Sequence, residues 1–146
     1  MLYELVSTRV ARVGFVLYSL FVVFFTTWPL NFHFDLRAIR DKWAETEWVI
    51  FYYSSNGSII VDHDLILNIF FFMPLGVLWA LWIRPKSWWW AGLSALLVGL
   101  ALSLFVEGLQ VLTIDRTTQL ADVWRNALGA GLAGLGFGLL RPSSSP

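Results

Sequence analysis

The chain has 146 residues, 58% of them hydrophobic and only 14% charged, with nine Trp and twelve Phe; a water-soluble fold of this size has too little interior for so much apolar surface. Its formal net charge is zero, which excludes the basic footprint of a nucleic-acid binder. With no cysteine and two histidines, His33 and His63, disulfides, thiolate metal sites, cysteine nucleophiles and histidine-rich metal sites are excluded, and neither a metal nor another cofactor is expected.

Taken in order, four segments are apolar and long enough to span a hydrocarbon core: 13–30, 65–83, 91–112 and 123–140. Such a core is about 30 Å thick, at about 1.5 Å per helical residue. The first segment follows Arg9 and Arg12, as the core of a signal peptide would. Its apolar run is long, however, and closes on Trp28, Pro29 and Leu30 without a small-residue cleavage site, so an uncleaved anchor is expected.

Residues 31–63 form the one sizeable extramembrane segment. Within it Phe32, Leu36, Ile39 and Trp43 recur at helical spacing, while Arg37, Arg40, Asp41, Lys42 and Glu45 fill the other face. That pattern predicts a helix lying in the membrane interface, or a short solvated one. Farther on, 48–53 and 58–61 flank an Asn56-Gly57 pair that suits a small hairpin.

Between the second and third spans stand only Arg84, Pro85, Lys86 and Ser87, followed by Trp88, Trp89 and Trp90. A compact basic hairpin with an aromatic girdle belongs on the cytoplasmic side, which also puts both termini there. Residues 141–146 read as a disordered tail. The expected architecture is therefore all-α: a polytopic, four-helix transmembrane bundle with one short extracytoplasmic segment between its first two spans.

Polar groups inside spans are costly, so their placement is informative. Asp64 and Asn68 open the second span, Glu107 and Gln110 lie near the end of the third, and Asp122 and Asn126 open the fourth. Spacings of three and four put each pair on one helix face. Because successive helices alternate in direction, all three pairs meet at one membrane surface, the outer one, beneath a loop carrying Asp115 and Arg116. The expected result is an outward-facing polar pocket, with Arg125 as a second guanidinium. Glu107 lies about five residues inside its helix, roughly 7 Å deep; Arg116 is its natural partner, with Gln110 and Asn126 completing the hydrogen bonds. The alternative is structural: Asp64 and Asp122 as helix caps, the amides as interhelical links, and an acid–arginine pair as a register lock.

Other features point to packing. Pro74 should kink the second span. Ala130, Gly134 and Gly138, with Ala127 and Gly131, form a smooth stripe expected to serve packing within the chain ahead of a dimer face.

The run from Asp64 through Asn68 to Pro74, Leu75 and Gly76, then Glu107 and Gln110, then Arg116, Asp122, Asn126 and Gly129, resembles the VanZ-like family of bacterial membrane proteins. The resemblance covers 13–140. Family members often carry further acids before the paired Asp and Asn of the last helix, where this chain has Gln119 and Ala121. The resemblance implies a multi-pass protein of the bacterial cytoplasmic membrane, of the type whose namesake contributes to resistance against the glycopeptide teicoplanin; it supplies no reaction. Three functions suit the polar cluster. One is a binding or accessory role toward an amphiphilic envelope ligand, lipid-linked or glycopeptide, with membrane lipids as constant partners. Another is an enzyme acting on a lipid-linked intermediate through Glu107, Asp122 and Arg116, although no nucleophile is evident. The last is a purely structural cluster in a partner-dependent protein. The oligomeric state is left open.

Overall fold

Ser7 opens the first helix: its hydroxyl accepts the Val10 N–H at 3.2 Å, and α1 runs Thr8–Thr27. In the computed structural model, which describes residues 6–46, 63–116 and 118–140, four more helices follow. These are α2 (Leu36–Glu45), α3 (His63–Ile83), α4 (Trp88–Val111) and α5 (Leu120–Leu139). The described residues are thus helical throughout, joined by short turns and loops; the hairpin expected over 48–61 and the tail at 141–146 lie outside them.

Three of these helices, α1, α3 and α4, are long and apolar enough to cross a membrane. The 20-residue α5 is long enough but less apolar, because Asp122, Arg125 and Asn126 occupy its first two turns and five glycines its remainder. One face of α5 is packed extensively against α4 and α3, while Trp124, Leu128, Leu132 and Leu139 face outward. Its small residues make this possible. A Cβ at Gly129 would meet the Ile69 carbonyl oxygen, one at Gly134 would meet Ala95 Cβ at 2.6 Å, and one at Gly138 would meet Trp88 Cα at 2.9 Å. On α3, a Cβ at Gly76 would meet the Ala130 carbonyl oxygen. The stripe from Ala127 to Gly138 is therefore consumed inside the chain, which is how small residues let helix backbones close up.

Against α3 on its other side lies α1, held by aromatic contacts. Phe15 sits 5.3 Å from the Trp79 ring and 5.5 Å from Trp82, while Phe21 and Phe25 approach Phe71 at 5.9 and 5.5 Å. Tyr18 donates its hydroxyl to the Phe71 carbonyl at 2.8 Å. Tyr18→Phe should cost about 1 kcal/mol or less, read as a small drop in thermal unfolding temperature in detergent. A buried cluster of Val22, Phe72, Leu75, Val106 and Ala130 joins α1, α3, α4 and α5.

The pairings fix the chain directions: α1 and α3 are antiparallel (Phe15 with Trp79, Phe25 with Phe71), and so are α4 and α5 (Gly99 with Ala127, Gly138 with Trp88). Thus the end of α1, the start of α3, the end of α4 and the start of α5 share one end of the molecule. Pro74 stands exposed inside α3, which continues past it to Ile83. The helix ends where Arg84 takes φ 47° ahead of Pro85.

At the shared end, the segment after α1 is stitched to the segment after α4. His33 N donates to Leu112 O at 2.9 Å, Ile114 N to Asn31 O at 3.0 Å, and Asn31 Nδ2 to Asp115 at 3.1 Å. Helix α2 begins at Asp35, whose side chain accepts the Arg37 N–H at 3.0 Å, and it buries none of its residues. Lys42 ties it to the loop after α4 by donating to the Thr113 carbonyl, and Trp43 lies over the end of α4.

Candidate functional site

The shared end gathers the polar residues, but around three adjoining cavities and not in one pocket. The first has a volume of about 470 Å3 and is lined by Asp64, Asn68, Gln110, Arg116 and Asp122 together with Thr26, Phe25, Leu67 and Phe71. Helix α3 contributes Asp64 and Asn68 from one face, since they lie four apart. Asn68 faces Asp122 of α5 across the cavity, and Asp64 is close enough to repel that acid. Arg125, buried at 5% exposure, donates to Asp122 at 3.1 Å one turn along α5. Asp122 therefore stands between a neutral donor, a like charge and a guanidinium, a buried-edge arrangement that keeps an acid oriented in a low-dielectric setting.

Arg116 is not where the sequence alone suggests. Its Nε and Nη2 both donate to the Trp28 carbonyl, at 3.1 and 2.9 Å. The stitched loops bring that carbonyl, exposed at the end of α1, directly against the loop after α4; the expected pairing of Arg116 with Glu107 is not formed. Gln110 likewise turns to α1, donating to Thr26 O at 3.2 Å. Two of the polar groups thus read the unsatisfied carbonyls of the last turn of α1, the standing need of any helix end.

Glu107 lines the second cavity, of about 230 Å3, with Trp43, Thr46, Leu104, Gly108, Thr118, Gln119, Leu120 and Val123. Its carboxylate accepts the Gln119 N–H at 3.0 Å, the residue that opens α5. An acid at a helix start is favoured by the helix dipole. Asn126 is buried in neither cavity wall: its Nδ2 donates to Ser103 Oγ at 2.9 Å, and its Oδ1 has no hydrogen-bond partner among the described residues. Asp115 stays exposed and accepts from Asn31. Of the eight candidate residues, then, five line the first cavity, Glu107 the second, Asn126 the α4–α5 contact and Asp115 the loop stitch.

Lys42 lines a third cavity, of about 360 Å3, with Asp41, Glu45, Thr46, Arg116 and Thr118; burial pushes its ammonium down from the ordinary range while Asp115 and Glu45 partly hold it up. Several partners carried no local signal in the sequence. Trp28 O and Thr26 O are main-chain atoms more than eighty positions from the residues that use them. Ser103 could have been found, since Ser103, Glu107 and Gln110 recur on one face of α4. Phe25 and Phe71, the apolar wall of the first cavity, look like ordinary span residues.

The family model VanZ/LLP1 matches residues 15–141, nearly the whole chain. No curated protein and no solved structure matches it.

Proposed function

We propose that this chain, which belongs to the VanZ/LLP1 family, is a membrane-embedded binding or accessory protein for an amphiphilic cell-envelope ligand. The observation that carries this reading is the composition of the first cavity. Two acids, two amides and a guanidinium share it with Phe25, Leu67 and Phe71, a polar wall beside an apolar wall, as a molecule with a polar head and a greasy stem requires. In this reading α5 is the fourth span, shielded on one face by α3 and α4; both termini lie in the cytoplasm, and the cavity opens at the outer face of the bacterial cytoplasmic membrane. Helix α2, with Leu36 and Trp43 exposed, lies along the headgroup region.

The enzymatic alternative needs Glu107, Asp122 and Arg116 around one reacting group. Glu107 lines a different cavity from the other two, so the binding role is better supported.

The test uses teicoplanin, the amphiphile that the resemblance brings forward, added to the protein in phosphatidylcholine nanodiscs. Asp64→Asn and Arg116→Ala should each weaken binding about tenfold or more, the worth of a charged hydrogen bond, while eluting as the parent does on size exclusion. Cells expressing these variants should show altered teicoplanin susceptibility. Unchanged binding and susceptibility in normally eluting variants would leave the cluster a structural fastening.

A further inference from the structure

The second cavity has a different character from the first. Trp43, Leu104, Leu120 and Val123 give it apolar sides, and Glu107 is the one ionisable group among the described residues that line it. Glu107 is buried at 7% exposure, where a carboxylate is costly unless it is paired as well as hydrogen-bonded. Its contact with the Gln119 N–H supplies a hydrogen bond but no counter-charge. Thr118 lines the same cavity, and its buried Oγ1 has no hydrogen-bond partner among the described residues. At about 230 Å3 the space is smaller than the roughly 300 to 1,000 Å3 of ordinary ligand pockets. It suits the end of a chain and not a bulky headgroup.

We propose that this cavity is a second binding site, for a primary ammonium carried on an apolar stem, with Glu107 as its counter-ion. Of the three N–H groups of the ammonium, one meets the carboxylate and a second the Thr118 hydroxyl, while its charge faces the Trp43 indole, the aromatic best suited to a cation. The stem lies along Leu104, Leu120 and Val123. No cation lines the cavity among its described residues; Lys42 and Arg116 line the adjoining one and are engaged by the Thr113 and Trp28 carbonyls, so a phosphate beside the amine has no partner in this cavity, and the occupant is an alkylammonium without an adjacent anion. Gly108 stands on the wall with nothing within 4 Å of where its Cβ would lie. It leaves the space open.

The experiment is calorimetric titration of octylammonium and of octanol into the full chain in phosphatidylcholine nanodiscs, with empty nanodiscs as blank. Octylammonium should bind at least about tenfold more tightly than octanol, and Glu107→Gln should abolish that preference. Should Glu107→Gln fail to assemble, Gly108→Leu serves instead: it fills the cavity, keeps the carboxylate and should lose octylammonium binding. Asn68→Ala, in the first cavity, should leave octylammonium affinity unchanged, as should replacing phosphatidylcholine with phosphatidylethanolamine. Equal affinity for octanol, full binding by Gly108→Leu, or competition by phosphatidylethanolamine would overturn the assignment. None of these results bears on teicoplanin binding at the first cavity, so the two sites stand or fall separately.

Discussion

Gly129→Ala and Gly76→Ala should each remove most of the assembled protein, a loss expected to exceed about 3 kcal/mol. Adding a methyl group to a packed interior commonly costs about 1 to 3 kcal/mol, because neighbours can turn to new rotamers. Here the neighbours cannot turn. The new Cβ meets main-chain carbonyl groups, Ile69 for Gly129 and Ala130 for Gly76, so relief requires α3 and α5 to move apart as whole helices. Such a movement would also open the buried cluster of Phe72, Leu75 and Ala130. The matched control is Gly136→Ala on the same helix, where a Cβ meets nothing within 4 Å. That variant should be neutral or gain up to about 1 kcal/mol from helix propensity. Yield and monodispersity after detergent extraction read the contrast directly. Equal recovery of Gly129→Ala and Gly136→Ala would mean that α3 and α5 do not approach as closely as described.

The second large effect lies at Arg125. Arg125→Ala should cost about 3 to 5 kcal/mol, the penalty for breaking a buried ion pair by removing one partner. Its side chain is 6% exposed and that of Asp122 28%. Without the guanidinium, Asp122 loses its counter-charge and still feels Asp64. Asp122→Asn keeps an acceptor for Arg125 but removes its counter-charge, and since the Arg125 side chain is the more deeply buried of the two, this variant should also lose assembled protein. The informative variant is the double one. Arg125→Met combined with Asp122→Asn should recover much of the assembly that Arg125→Ala loses, because replacing a buried pair by groups of similar volume is often close to neutral. Thermal unfolding of the single and double variants measures the coupling. Additive losses would show that Arg125 acts through other contacts and not through Asp122.

Much of the architecture was legible because span hydrophobicity is a local property. The all-helical character and the three apolar spans follow from runs of Leu, Val and Phe, and the break between α3 and α4 from Arg84 and Pro85. Helix α5 shows the limit of that reading: its glycines and polar first turns lower its apolarity, and what makes it fit is the surface of α3 and α4, which local sequence does not display. The polar residues divide similarly. Helical spacing put Asp64 with Asn68 on one face, and the alternation of helices puts both near Asp122. Opposite charges at one level ordinarily meet, which points Arg116 to Glu107. The pairing with Trp28 O depends on the loops after α1 and α4 lying side by side, a long-range event with no side-chain signature. Without that stitch, one pocket would be the reasonable expectation; with it, Arg116 is drawn to α1, Glu107 is left facing Gln119, and the two line separate cavities.

The loop stitch has a mechanical counterpart at the other end of the molecule, where Arg84 Nη2 donates to Val6 O at 2.7 Å. α1 is therefore moored at both ends, to α4 through Asn31 and His33 and to α3 through Arg84. Domain swapping trades an identical element between neighbouring copies. Exchange of α1 would require both moorings to release together, in addition to the Phe15, Phe21 and Phe25 contacts between them, so the chain resists trading its first helix and tends to keep the wall that Phe25 and Thr26 supply to the first cavity as its own.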